Sequence, residues 1–129
     1  MTSMTSNRIL QINATATAAT GLAMLAGRGL LPPLFGLGSP LLLDLIAIFF
    51  LAYAAGLFYF AARPQVERPA LLAFAAADGA WVVGSVVALL LFWTQLTPIS
   101  RLLIIGVAIV VDIFAMLQFR AARPTLRDV

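Results

Sequence analysis

Apolar residues in this chain gather into four long runs, and the charged residues fall almost entirely in the seams between them. The runs cover about residues 9–27, 41–62, 70–93 and 101–119. Each is close to the roughly 20 residues that an α-helix, rising about 1.5 Å per residue, needs to cross a hydrocarbon core about 30 Å thick. The pattern predicts an all-α fold, an integral membrane four-helix bundle in up-down-up-down antiparallel order. A single transmembrane domain is expected over 1–129.

The seams predict how the runs connect. Between the first and second, Pro32, Pro33, Gly36, Gly38 and Pro40 lie among apolar residues. They break the helix without making a polar loop, so this segment is expected in the membrane interface. Between the second and third, Arg63, Glu67 and Arg68 lie around Pro64 and Pro69, a tight polar hairpin that turns the third span antiparallel to the second. Residues 94–100 make the last turn. The first run is the most diluted, by Gln11, Asn13, Thr15, Thr17 and Thr20. A secretory signal peptide headed by Arg8 is its rival reading. The threonines interrupt a short apolar core and no clear Ala-x-Ala site follows, so a retained helix is expected.

Composition sharpens the class. The 129 residues are 63% hydrophobic and 10% charged, with a mean hydropathy of +1.06, against roughly 25% charged in an ordinary soluble domain. Cysteine and histidine are absent, and all eight basic residues are arginine. Without His, Cys or Lys the chain has no imidazole base, thiolate, soft metal ligand or Schiff-base amine, so no enzymatic activity, metal or cofactor is expected. The glycines follow no phosphate-binding spacing. The net charge of +3 belongs to orientation before nucleic acid. With four spans, Arg8, Arg63, Arg68, Arg120, Arg123 and Arg127 share one side and Arg28 and Arg101 the other. Arginine excess marks the cytoplasmic face, so both termini are expected inside. Asp128 shares the C-terminal tail with Arg127. Trp93 then anchors the outer interface and Tyr59 the inner one.

Within the spans, small residues recur at four-residue spacing: Thr17 with Gly21, Ala52 with Gly56, Ala73 with Ala77, and Ala76, Ala80, Gly84 and Ala88. Such rows let helices approach closely, which predicts a tight bundle. Two acids lie deep inside the runs. Counted from the inner edge, Asp78, Asp112, Tyr53 and Thr17 fall at similar depths of roughly 10 to 14 Å, and a shared polar layer is the sharpest candidate site. Two close carboxyls in such a layer would share a proton, as a relay or cation site does. The structural reading is that Asp78 accepts hydrogen bonds from Trp81, Tyr53 or Thr17 and locks the helices together. Asp44 lies near the outer boundary, where an interfacial ion pair with Arg28 or Arg101 is expected.

The stretches Tyr53-Ala54-Ala55-Gly56-Leu57, Ala62-Arg63-Pro64, Ala77-Asp78-Gly79-Ala80-Trp81 continuing to Ser85, and Leu117-Gln118 resemble those of small uncharacterised bacterial four-span inner-membrane proteins. The resemblance covers the second to fourth spans and implies no activity. The size is also similar to that of the small multidrug resistance transporters, which rely on a membrane-embedded glutamate in the first helix; here that span holds no acid. The reading is a non-enzymatic accessory or interaction subunit of a bacterial inner membrane. Its expected partners are the lipid bilayer and either further copies or a larger membrane complex, and not nucleic acid. The alternative is a proton-coupled small transporter or ion pathway formed by a dimer using Asp78 and Asp112.

Overall fold

The computed structural model describes residues 2–123; Arg127 and Asp128 lie outside them. Among the described residues the chain forms five helices and no strand: α1 (Thr2–Ala26), α2 (Leu31–Leu34), α3 (Leu41–Ala61), α4 (Arg68–Phe92) and α5 (Pro98–Ala122). All but the single-turn α2 have the length and apolarity to cross a bilayer. The chain is an all-α, multi-pass membrane protein.

Three of the four long helices outrun their apolar runs. α1 begins before Ile9, α4 before Ala70, and α5 spans Pro98–Ala122 rather than 101–119. The reason is that hydropathy marks where lipid begins, whereas a helix begins where its first N–H groups can be dispensed with or capped. Pro69 and Pro98 occupy first-turn positions that need no donor, and the Thr97 hydroxyl accepts from the Ser100 amide at 3.2 Å.

α1 lies along α3, α4 lies along α5, and a smaller contact joins α1 to α5. Aromatic rings fill the space between α3 and α4: Phe50 meets Trp81 at 4.8 Å between centroids, and Phe74 takes Tyr53 at 5.7 Å and Phe60 at 5.6 Å, all edge-on. The order around the bundle is therefore α3, α1, α5, α4, with α3 diagonal to α5 and α1 diagonal to α4.

Gly21 lies close against the backbone of α3. A Cβ there would stand 3.0 Å from the Ala47 carbonyl oxygen and 3.2 Å from the Leu51 side chain, so only glycine lets the backbones meet. The other small rows correct the expectation of packing through them. Ala52, Ala73, Ala76, Ala77, Ala80 and Gly84 are exposed, and a Cβ on Gly56 or Gly84 would meet open space. α4 instead turns Leu71, Ala75, Asp78 and Ser85 inward. In so alanine-rich a helix, four-residue spacing occurs on several faces and does not select one.

The two ends of the bundle are closed differently. At the end carrying the chain termini, Leu10, Leu57, Val66, Leu71 and Ala122 form the buried apolar core with Ala14 and Ala61. There the Asn7 amide donates to the carbonyls of Ala61, at 2.6 Å, and Arg63, at 2.7 Å, satisfying oxygens that the end of α3 leaves open. Arg63 lies over the rings of Tyr59 and Phe60. At the opposite end, the proline-rich segment between α1 and α3 folds against the turn between α4 and α5. Gly36 takes a left-handed conformation, φ 70°, and a Cβ there would stand 3.0 Å from the Gln95 carbonyl oxygen. The Thr97 hydroxyl donates to the Leu34 carbonyl at 2.9 Å, joining the two segments.

Candidate functional site

Each of the four long helices sends one polar side chain to the middle of the bundle, and they meet at Asp78 of α4. Asp78 Oδ2 accepts from Asn13 Nδ2 of α1 at 2.9 Å and from Gln118 Nε2 of α5 at 2.9 Å. Its Oδ1 accepts from the Tyr53 hydroxyl of α3 at 2.9 Å. Asn13 spends its second N–H on Gln118 Oε1 at 2.8 Å, and its own Oδ1 accepts from the Thr17 hydroxyl at 3.0 Å. Tyr53 has the Phe74 carbonyl as a second acceptor at 3.3 Å.

The centre of this network is buried. Asp78 is 6% exposed, Asn13 3% and Gln118 0%. In lipid a polar side chain that finds no partner inside the protein finds none at all, so polar groups that converge this way act as glue between helices. Every hydrogen bond at Asp78 is one that its carboxyl oxygens accept. Two amide N–H groups reach Oδ2 and one hydroxyl reaches Oδ1. Among the described residues no three His, Cys, Asp or Glu side chains gather as metal ligands. Two apolar concavities lie on the surface of α5, one lined by Ile113, Met116, Leu117 and Arg120 and the other shared with α4, and no member of the Asp78 network lines either.

Of the four residues expected to share a layer, Asp78, Tyr53 and Thr17 are brought together and Asp112 is not. Asp112 is exposed on the outside of α5 and makes no hydrogen bond or ion pair among the described residues. The correction has two geometric causes. α5 continues to Ala122, so the residue level with Asp78 is Gln118, six positions further on and about 9 Å nearer the end of the helix. Six residues at about 100° each also turn Asp112 roughly 120° away from the inward face that Gln118 occupies.

Asn13 and Gln118 are the site residues that charge counting passed over. Their signal was available: each is an amide within an apolar run, and an amide buried without a partner is costly although it carries no charge. Trp81 is also placed differently from expectation. Its ring packs against Phe50, and its buried Nε1 has no hydrogen-bond partner among the described residues. One turn further on, the Ser85 hydroxyl donates to the Trp81 carbonyl at 2.9 Å.

At the end of the bundle opposite the termini, Arg28 Nη2 donates to Asp44 Oδ2 at 2.8 Å in a partly exposed ion pair. The carboxylate raises the Arg28 pKa above its ordinary value, through the hydrogen bond first and its charge second. Arg101 takes no part in this pair. Its guanidinium donates to the Trp93 carbonyl and lies 4.2 Å from the centroid of the indole ring, fixing an exposed aromatic at that boundary.

No protein-family model, curated protein or solved structure matches the chain.

Proposed function

We propose that this chain is a non-enzymatic accessory or interaction subunit of a bacterial inner membrane, held with both termini on the cytoplasmic side and working within a homo-oligomer or a larger membrane complex. One observation carries the reading. The carboxylate at the centre of the bundle is buried and occupied by three donors from three other helices, which suits a bolt between helices. A carrier's working carboxylate must exchange protons or ions with both sides, and a second acid must lie within reach for the two to share a proton. Asp112, the second acid of that mechanism, faces outward. The four long helices hold 96 of the 129 residues, so recognition by this chain falls largely to outward helix faces and to the arginine-bearing segments at the termini end. The resemblance to small bacterial four-span proteins supports the choice of membrane.

The test compares two preparations. Chain purified alone and reconstituted in liposomes should carry no proton flux when a pH gradient is applied, with or without Asp78→Asn. Tagged chain extracted gently from its native membrane should retain a partner in fixed stoichiometry, either another membrane protein or further copies of itself. A proton flux lost on Asp78→Asn in a folded protein would overturn the accessory reading in favour of the carrier.

A further inference from the structure

The feature that the bundle leaves unexplained is Asp112. It lies ten residues from the end of α5 at Ala122 and fourteen from its start at Pro98, about 15 and 21 Å along the helix, so its carboxyl faces outward near the middle of the span. An ionised aspartate at that depth costs about 2.5 to 3.5 kcal/mol on insertion scales, and side chains of this kind nearly always pair with another group. Asp112 lacks such a partner within the described residues.

We infer that the outward face of α5 centred on Asp112 is where two copies of this chain pair side by side in the membrane, with the two Asp112 carboxyls hydrogen-bonded to each other. Three considerations favour a second copy as the occupant. First, a carboxylic acid carries both a donor and an acceptor, so two of them close a reciprocal pair of O–H···O bonds and leave no polar atom facing lipid. Second, copies of one chain inserted with the same topology run parallel, and a two-fold axis along the membrane normal sets Asp112 opposite Asp112 at equal depth. Third, Ile105, Ile109, Met116 and Phe119 are exposed and share one outward strip of α5 with Asp112, at a spacing that suits a parallel helix pair in which a single polar position sets the register. Beside the seam, Met116 and Phe119 border a shallow apolar concavity of about 450 Å³ whose α4 wall includes Ala76. Ala75 and Ala76 on that wall, beside Leu72, leave room there for a neighbouring helix to approach.

This pairing rests on the reading of the chain as a component of an assembly, and it is tested with the full chain alone. The sequence has no cysteine, so single cysteines can be placed freely. Ile109→Cys and Met116→Cys on the proposed seam, and Ile48→Cys on α3, diagonal to α5, are each purified and reconstituted in phosphatidylcholine vesicles at low protein-to-lipid ratio. They are then oxidised with copper phenanthroline. Disulfide-linked dimers from the two α5 positions, with little from Ile48→Cys, are expected. Adding Asp112→Leu to the seam variants should weaken pairing about threefold to thirtyfold, the range an interhelical hydrogen bond supplies, whereas Asp112→Asn should preserve it because an amide both donates and accepts. Equal linking from Ile48→Cys, no linking from α5, or linking that Asp112→Leu leaves unchanged would overturn the proposal. If the reconstituted chain stays monomeric while chain from native membrane still brings down another membrane protein, self-pairing fails and the accessory reading stands.

Discussion

At the scale of single residues, the Asp78 network separates substitutions that look alike by hydropathy. Asp78→Asn keeps an oxygen for the Asn13 and Gln118 amides and turns an N–H toward Tyr53. The tyrosine hydroxyl can accept it and donate instead to the Phe74 carbonyl, 3.3 Å away. Asp78→Leu leaves two buried amide N–H groups without their central acceptor and the Tyr53 hydroxyl with only the longer bond to the Phe74 carbonyl. With each lost interhelical bond worth about 0.6 to 2 kcal/mol, the leucine variant should lose about 2 to 6 kcal/mol and the asparagine variant about 1 kcal/mol. Unfolding in mixed detergent micelles, followed by loss of helical circular dichroism, measures the difference. Equal losses would mean that the carboxylate's partners contribute nothing. Trp81 shows the same distinction between shape and polarity, since its ring packs against Phe50 while its N–H has no partner among the described residues.

At the scale of helices, the small-residue pairs are not equivalent. Gly21 lies against the α3 backbone, whereas Gly56, in an equally suggestive small-residue pair, faces open space. Gly21→Ala should force α1 away from α3 by a few tenths of an ångström and cost about 1 to 3 kcal/mol, the usual range for an overpacked contact. Gly56→Ala should be neutral or slightly stabilising, because alanine is the better helix former and nothing opposes its methyl group. Paired unfolding curves of the two variants decide the point. A Gly56→Ala variant as damaged as Gly21→Ala would place α3 in the bundle differently from the packing described above. The α3–α4 contact follows the opposite rule, with large rings spacing the backbones, so methyl-sized changes there act through ring packing rather than backbone distance.

At the scale of the molecule, the hairpin at 62–67 shares the end of the bundle with the start of α1 and the end of α5, while the segment at 35–40 lies at the other end. The proposed orientation puts the first end in the cytoplasm. In the cysteine-free chain, Gln65→Cys should be shielded from a membrane-impermeant thiol reagent in intact cells, and Ser39→Cys should label. Both positions are exposed, so accessibility reports the side of the membrane and not burial. Labelling of Gln65→Cys from outside would reverse the topology.

Hydropathy and charge order along the chain were enough to determine the number of spans, their antiparallel order and the places where they turn. These depend on the length of apolar runs and on prolines and arginines between them, which are local properties. The pairing of Asp78 with Tyr53 and of Asp44 with Arg28 was also within reach, because antiparallel neighbours fix relative depth. Rotation about each helix axis was not within reach. Hydropathy is the same whichever way a helix is turned, and the spans are apolar nearly all round, so no amphipathic stripe points to the bundle. Only packing chose: Gly21 against Ala47, the rings between α3 and α4, and the three donors around Asp78 set the rotations together. Those rotations carried Gln118 into the centre and left Asp112 on the outside, so the two acids, similar in sequence context, ended in opposite environments.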